Sequence, residues 1–180
     1  MTTIDPTTTD PTTTVDERTD LLATLAQHRW FLRFTVRDLT DEQAAQRTTA
    51  SQLCLGGLIK HVADAESHWI DFIIGGPDAL PDWSGEWKPE GRSAEFQLLA
   101  DENLASVLER YEQVARRTDE VVAKLADLGA SQPLPEAPWF ESGARWSARR
   151  AVLHIIAETA QHAGHADIIR ESLDGAKTMG

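Results

Sequence analysis

The sequence predicts an all-α protein that folds as an up-down bundle of four helices. Apolar residues recur at helical spacing in four separate stretches, each of about 20 residues or more. None of the chain shows the sustained alternation of apolar and polar residues that is typical of half-buried strands. With 180 residues, of which 41% are hydrophobic and 26% charged, the chain is long enough for one domain with a substantial core.

The four-helix domain is expected over residues 15–180. The 14 residues before it, MTTIDPTTTDPTTT, carry almost no apolar surface, and this composition predicts a disordered tail. The first long helix begins near Val15, and acidic residues in its first turn suit the helix dipole. After this helix, the run from Thr40 to Gln43 predicts a capping box that opens a short helix.

The other three long helices have recognisable ends. The second is predicted from about Ser51 to Ile74, where Gly75 and Gly76 close it. The third is predicted over about residues 100–128. The fourth begins after Ser147, whose hydroxyl can cap the first turn.

Long connections follow the second and the third long helix, at residues 77–99 and 129–146. Loops of this length in a compact domain are usually functional or mobile. Both contain large aromatic side chains, which could wall a substrate pocket or plug the ends of the bundle: Trp83, Trp87, Trp139, Phe140 and Trp146. The sequence leaves these two alternatives open.

Charge and cysteine content restrict the class of protein. A formal net charge of −12 argues against a nucleic-acid-binding surface. No segment approaches the roughly 18 consecutive apolar residues of a membrane span, and the N-terminus lacks the basic and apolar regions of a secretory signal. The single cysteine, Cys54, excludes an internal disulfide and a thiolate zinc cluster. These features predict a cytoplasmic protein that acts on small molecules and has no membrane partner.

A stripe of ionisable residues runs along the fourth helix. His154, Glu158, His162 and His165 fall within an arc of about 80° when successive residues turn by about 100°. Apolar residues surround this stripe. Imidazoles and a carboxylate among core-forming residues are costly unless they have partners, and a metal ion could satisfy all four groups.

His61 offers a ligand from a second helix. It lies in an apolar stretch midway along the second long helix, while Glu158 and His162 are one helical turn apart. Together the three could form a tetrahedral site with one open position, and bundles typically build metal sites from facing helices. Spacing alone favours a solvated pair over a metal site, because Glu and His four residues apart are common on helix surfaces.

Two segments carry a resemblance to a known family. LCLGGLIKH, which ends at His61, and LHIIAETAQHAGHADIIRE, over residues 153–171, resemble the second and fourth helices of the DinB-like metalloprotein superfamily. That superfamily includes mycothiol- and bacillithiol-dependent S-transferases and the N-terminal domain of mycothiol-dependent maleylpyruvate isomerase. The resemblance covers about residues 16–175.

The resemblance implies a metal triad of His61, Glu158 and His162. Many members have His at the position of Glu158, and the Glu form is similar to the maleylpyruvate isomerase type. Zinc is the expected ion, with nickel or manganese as alternatives. The family holds a low-molecular-weight thiol as a thiolate nucleophile at the metal, which implies mycothiol as cosubstrate and a small electrophilic substrate. Members of the superfamily are commonly homodimers through helix faces, so the resemblance also implies a homodimer.

The sequence leaves open the roles of His165 and His154, the other two residues of the stripe, and of Cys54 in the second helix. His165 is predicted to line the open position as a catalytic base, with a fourth ligand or a packing residue as alternatives. His154 could hydrogen-bond to Glu158, and Cys54 is interpreted as a small core residue. The alternatives to a thiol-dependent enzyme are a non-catalytic metal-binding bundle and a metal-dependent hydrolase.

Overall fold

The computed structural model describes residues 16–82 and 94–178, and these residues are mostly helical. Within these described ranges the chain forms five α-helices: α1 (Glu17–Phe34), α2 (Asp41–Ala45), α3 (Leu55–Gly75), α4 (Leu104–Lys124) and α5 (Ala148–Asp174). A 3-10 turn at Pro77–Ala79 follows α3. The predicted helical class is confirmed. The predicted tail at 1–14, together with Trp83 and Trp87, lies outside the described residues.

The four long helices share one interior. α3 packs against both α4 and α5, and α1 packs mainly against α5. One buried cluster contains Leu58, Ile59 and Tyr111, and a second contains Trp69 and Ile155. All four long helices supply residues to both clusters, and α3 has the largest number of buried residues among them. The up-down order of the helices stays a prediction.

Two of the predicted helix starts are confirmed in atomic detail. Thr40 Oγ1 accepts a hydrogen bond from the Gln43 amide at 3.3 Å, and the Gln43 side chain accepts one from the Thr40 amide at 3.0 Å. This is the reciprocal capping box that the sequence predicts. Ser147 Oγ accepts from the Arg150 amide at 3.2 Å, so Ser147 caps α5. α5 ends at Asp174 and is capped by Gly175, whose φ of 79° is a left-handed conformation that favours glycine.

α3 begins later than predicted, at Leu55 instead of Ser51. Ser51 Oγ accepts a hydrogen bond from the Leu53 amide at 3.3 Å, and its own amide donates to Thr49 Oγ1 at 3.3 Å. Such local side-chain bonds offer the backbone an alternative to the helix. Cys54 becomes the N-cap, and its Sγ accepts from the Gly57 amide at 3.4 Å.

The second long connection contains two short strands that the sequence did not predict. β1 (Ser131–Pro133) pairs with β2 (Arg145–Ser147) in antiparallel fashion. Three residues are too few to give a visible alternation of apolar and polar side chains. The Ala148 amide continues the pairing to the Ala130 carbonyl at 2.9 Å, so the strands fix where α5 starts.

A charged network lies between three helices. Arg29 of α1 donates through Nε to Glu66 of α3 at 3.1 Å and through Nη1 to Asp119 of α4 at 2.8 Å. The Glu66 side chain is 0% exposed. Among the described residues, no helix combines the length and the apolar character that a membrane span requires.

Candidate metal centre

The three predicted ligands meet in space. His61 projects from α3, and Glu158 and His162 project from α5, with one donor atom of each within 4.8 Å of the others. The rings of His61 and His162 are 4.9 Å apart between centroids and nearly perpendicular, at 79°. The side chains are 12%, 28% and 11% exposed, respectively. Packing of α3 against α5 therefore assembles the cluster from distant parts of the chain.

The chemistry of this donor set fits a divalent ion. His162 Nε2 and Glu158 Oε2 are 3.4 Å apart, close to the separation of about 3.4 Å between two ligands on a tetrahedral zinc with bonds near 2.1 Å. Two imidazoles and one carboxylate suit zinc and other borderline divalent ions. Three protein ligands leave one position open, as in catalytic zinc sites.

The electrostatics favour ligands that are ready to bind a cation. A hydrogen bond with His162 holds the pKa of Glu158 below its usual value, against the opposing effect of burial. Burial lowers the pKa of His154, which lies one turn away. At neutral pH Glu158 is therefore ionised and His154 neutral, so no proton on the Glu158 carboxylate competes with a metal ion for its oxygens.

His154 lies behind Glu158 in an aromatic setting. Its Nε2 is 3.8 Å from Glu158 Oε1, and its ring contacts Trp69 and Trp146 at 4.8 and 5.2 Å between centroids. Trp69 and Trp146 are stacked 4.7 Å apart, and Phe140 contacts Trp146 at 5.7 Å. Trp146 and Phe140 thus pack as a wall beside the site, while Trp139 is 50% exposed.

His165 lies against His162. Its Nδ1 is 3.4 Å from Nδ1 of His162, so it contacts the ring nitrogen of His162 that faces away from Glu158. The predicted catalytic role of His165 stays a prediction.

A segment from the first long connection adds two residues that sequence reasoning missed. The Phe96 ring centroid is 4.1 Å from that of His61, and Glu95 Oε2 is 3.9 Å from His61 Nδ1. The available signal was the adjacent pair Gly56 and Gly57 in an otherwise apolar helix, because glycine in a helix often marks the close approach of another backbone.

Comparison with known proteins places the chain in a family. The family described as Mycothiol-S-transferase matches residues 20–175. No curated protein gives a significant match. Among solved structures, a conserved protein from Enterococcus faecalis is similar with a TM-score of 0.64 and 14% identity, over 90% of this chain and 99% of that one. At that identity the likeness concerns the fold alone. Because the family match spans most of the sequence, this protein belongs to the mycothiol S-transferase family, a DinB-like family.

Proposed function

We propose that this protein is a divalent-metal-dependent enzyme that uses a low-molecular-weight thiol of the mycothiol type on a small electrophile. The observation that carries the proposal is the convergence of His61, Glu158 and His162 in a chain of the mycothiol S-transferase family. We assign these three residues as the metal ligands and zinc as the ion. The reaction is an S-transfer or a thiol-dependent isomerisation.

When bound, the ion supplies a positive charge that lowers the pKa of a thiol placed at the open position. Glu158 contributes the one negative charge of the triad, and His154 supports its carboxylate from behind. We assign His165 as the base that takes up the thiol proton. The sulfur then forms a bond to the electrophilic carbon, and either a leaving group departs or the same C–S bond breaks again after isomerisation.

Aromatic side chains shield part of the site from water. Phe96 covers His61 on one side, and Trp146, with Phe140 packed on it, covers His154. Water-poor surroundings strengthen the interaction of the ligands with a cation.

We further propose that the helices follow the up-down bundle order, that the protein is a homodimer, and that it works in the cytoplasm.

The test is metal analysis of purified protein followed by a thiol-conjugation screen. We expect one zinc, nickel or manganese ion per chain, lost in His61→Ala and in His162→Ala. Turnover of an electrophile should require the metal and one of mycothiol, bacillithiol or glutathione. His165→Ala should keep the metal and lose about 100-fold or more in turnover, as removal of a general base does.

Each alternative gives a different result. In a non-catalytic bundle, metal removal lowers the melting temperature but no thiol supports turnover. In a hydrolase, turnover proceeds without any thiol. Absence of turnover with all three thiols contradicts the S-transferase proposal, and unchanged metal content in both histidine variants contradicts the assigned ligands.

A further inference from the structure

The segment 94–98 lies directly on the first turns of α3. A Cβ added at Gly57 would lie 1.8 Å from the Phe96 carbonyl oxygen, and one added at Gly56 would lie 2.5 Å from Leu98 Cδ1. A side chain at Gly57 would displace the backbone of this segment, and one at Gly56 would displace the Leu98 side chain. The two glycines thus form a cradle for the segment.

Lys60 and Cys54 fasten the same segment by hydrogen bonds. The Lys60 ammonium contacts the carbonyls of Ala94 and Gln97 at 3.5 and 3.4 Å and pairs with Glu102 at 2.7 Å. Lys60 is only 9% exposed, so these contacts compensate for burying its charge. Cys54 Sγ donates to the Phe96 carbonyl at 3.4 Å. The segment is therefore held at several points along its length.

The fastened segment presents Glu95 to His61. Glu95 Oε2 is 3.9 Å from His61 Nδ1, a distance at which the two groups interact by charge or through one bridging water. The Phe96 ring packs against the imidazole at 4.1 Å between centroids. A neutral imidazole has one donor and one acceptor nitrogen. A carboxylate beside Nδ1 favours the proton there and leaves the lone pair on Nε2.

We propose that Glu95 is a positioning residue for His61, whose carboxylate holds the imidazole in the Nδ1–H form and aims Nε2 at the metal. Partners of this kind orient ligand histidines and raise their basicity. Gly56, Gly57, Lys60 and Cys54 act one step further out, since they fix the backbone that carries Glu95. This proposal rests on the metal site of the proposed function.

The test is titration of the metal-free protein with Co²⁺ as a coloured substitute for zinc. Glu95→Ala should weaken Co²⁺ binding by about 10- to 100-fold, as loss of such a partner does. It should leave the shape of the absorption spectrum unchanged. Glu95→Gln keeps an acceptor without the charge and should lie in between. Glu120→Ala is the matched control, because Glu120 is a 71% exposed carboxylate that pairs only weakly with Lys124.

A second readout needs no metal. The ¹⁵N shifts of the His61 imidazole report which nitrogen carries the proton. We expect the Nδ1–H form in the unsubstituted protein and a shift toward the Nε2–H form in Glu95→Ala.

The outcomes separate this proposal from the proposed function. If the unsubstituted protein binds Co²⁺ no better than His61→Ala, the metal site itself is wrong. If His61→Ala loses binding but Glu95→Ala matches Glu120→Ala, the site stands and the role of Glu95 is refuted. A changed cobalt spectrum in Glu95→Ala would make Glu95 a ligand and would also overturn the positioning role.

Discussion

Tyr111 is the only tyrosine of the chain, and it is 1% exposed on α4. Its hydroxyl makes no well-formed hydrogen bond among the described residues, although it lies near the Thr159 hydroxyl, which donates its own proton to the Ile155 carbonyl at 2.8 Å. Burial raises the pKa of the phenol well above its usual value. The folded protein therefore keeps a proton that the unfolded chain loses above about pH 10.

This difference predicts the direction of an alkaline effect. The protonated Tyr111 phenol contributes to the free energy of unfolding. This contribution is fully present below the pKa of about 10 of an exposed tyrosine, and it is lost as the pH rises through the higher pKa that Tyr111 has in the folded protein. Tyr111→Phe should flatten that loss, and at neutral pH it should leave stability unchanged or raise it by about 1 kcal/mol. Urea denaturation between pH 7 and 11 measures both effects. Tyrosinate absorbance below pH 10 in folded protein would contradict them.

Sequence reasoning reached the candidate ligands but not their surroundings. Glu158 and His162 were predictable because a helix places residues four apart on one face. His61 was added by an apolar context and a family resemblance. Glu95 was not predictable, since its approach to His61 depends on how a long connection folds back onto α3. That path is a tertiary property with no local period.

Two glycines that both lie within helices should respond oppositely to substitution by alanine. Gly164→Ala places a Cβ where nothing lies within 4 Å and should stabilise α5 by about 0.5–1 kcal/mol, because alanine is the better helix former. Gly57→Ala should destabilise the protein, since its Cβ would overlap the Phe96 carbonyl. Thermal and urea denaturation measure both changes, and equal stabilisation by the two variants would contradict the cradle.

The starts of α2 and α5 followed the sequence, at Thr40 and Ser147. The sequence placed the start of α3 too early, because Ser51 bonds to its own neighbourhood, and it also predicted α4 over about 100–128 where the helix is Leu104–Lys124. β1 and β2 were missed because strands of three residues leave no periodic pattern. Local chemistry thus predicts the starts of helices better than it predicts what lies in the connections.

At the scale of the whole molecule, the Arg29–Glu66–Asp119 network joins α1, α3 and α4. Arg29→Met leaves the fully buried Glu66 carboxylate without its cation and should cost about 3–5 kcal/mol of unfolding free energy. The double variant Arg29→Met/Glu66→Leu should recover most of that loss, because both charges are then removed together.

Lys124→Met is the matched control for that experiment. It breaks a surface pair with Glu120 in which the side chains are 76% and 71% exposed, and it should cost less than about 1 kcal/mol. Urea denaturation of all four proteins gives the comparison. If Arg29→Met lowers the free energy of unfolding no more than Lys124→Met does, the buried Arg29–Glu66 pair does not stabilise the fold.

The helical class was predictable as a whole because four long apolar periodicities dominate the sequence. The partners of the charged residues in the network were not predictable. Arg29, Glu66 and Asp119 lie on three separate helices, and no sequence spacing links them. A buried ion pair becomes visible only when packing is known.

The division of the proposed ligands between α3 and α5 has a consequence for synthesis of the chain. The ribosome makes His61 first, and α4 and both strands follow before Glu158 and His162 are joined to the chain. At about 5–20 residues per second this interval lasts about 5–20 s. During it the nascent chain offers an incoming ion only one of the three proposed ligands, too few to form the proposed site. If the site binds as proposed, the ion is acquired after α5 has been made, and the ions available to the finished protein decide which one it carries.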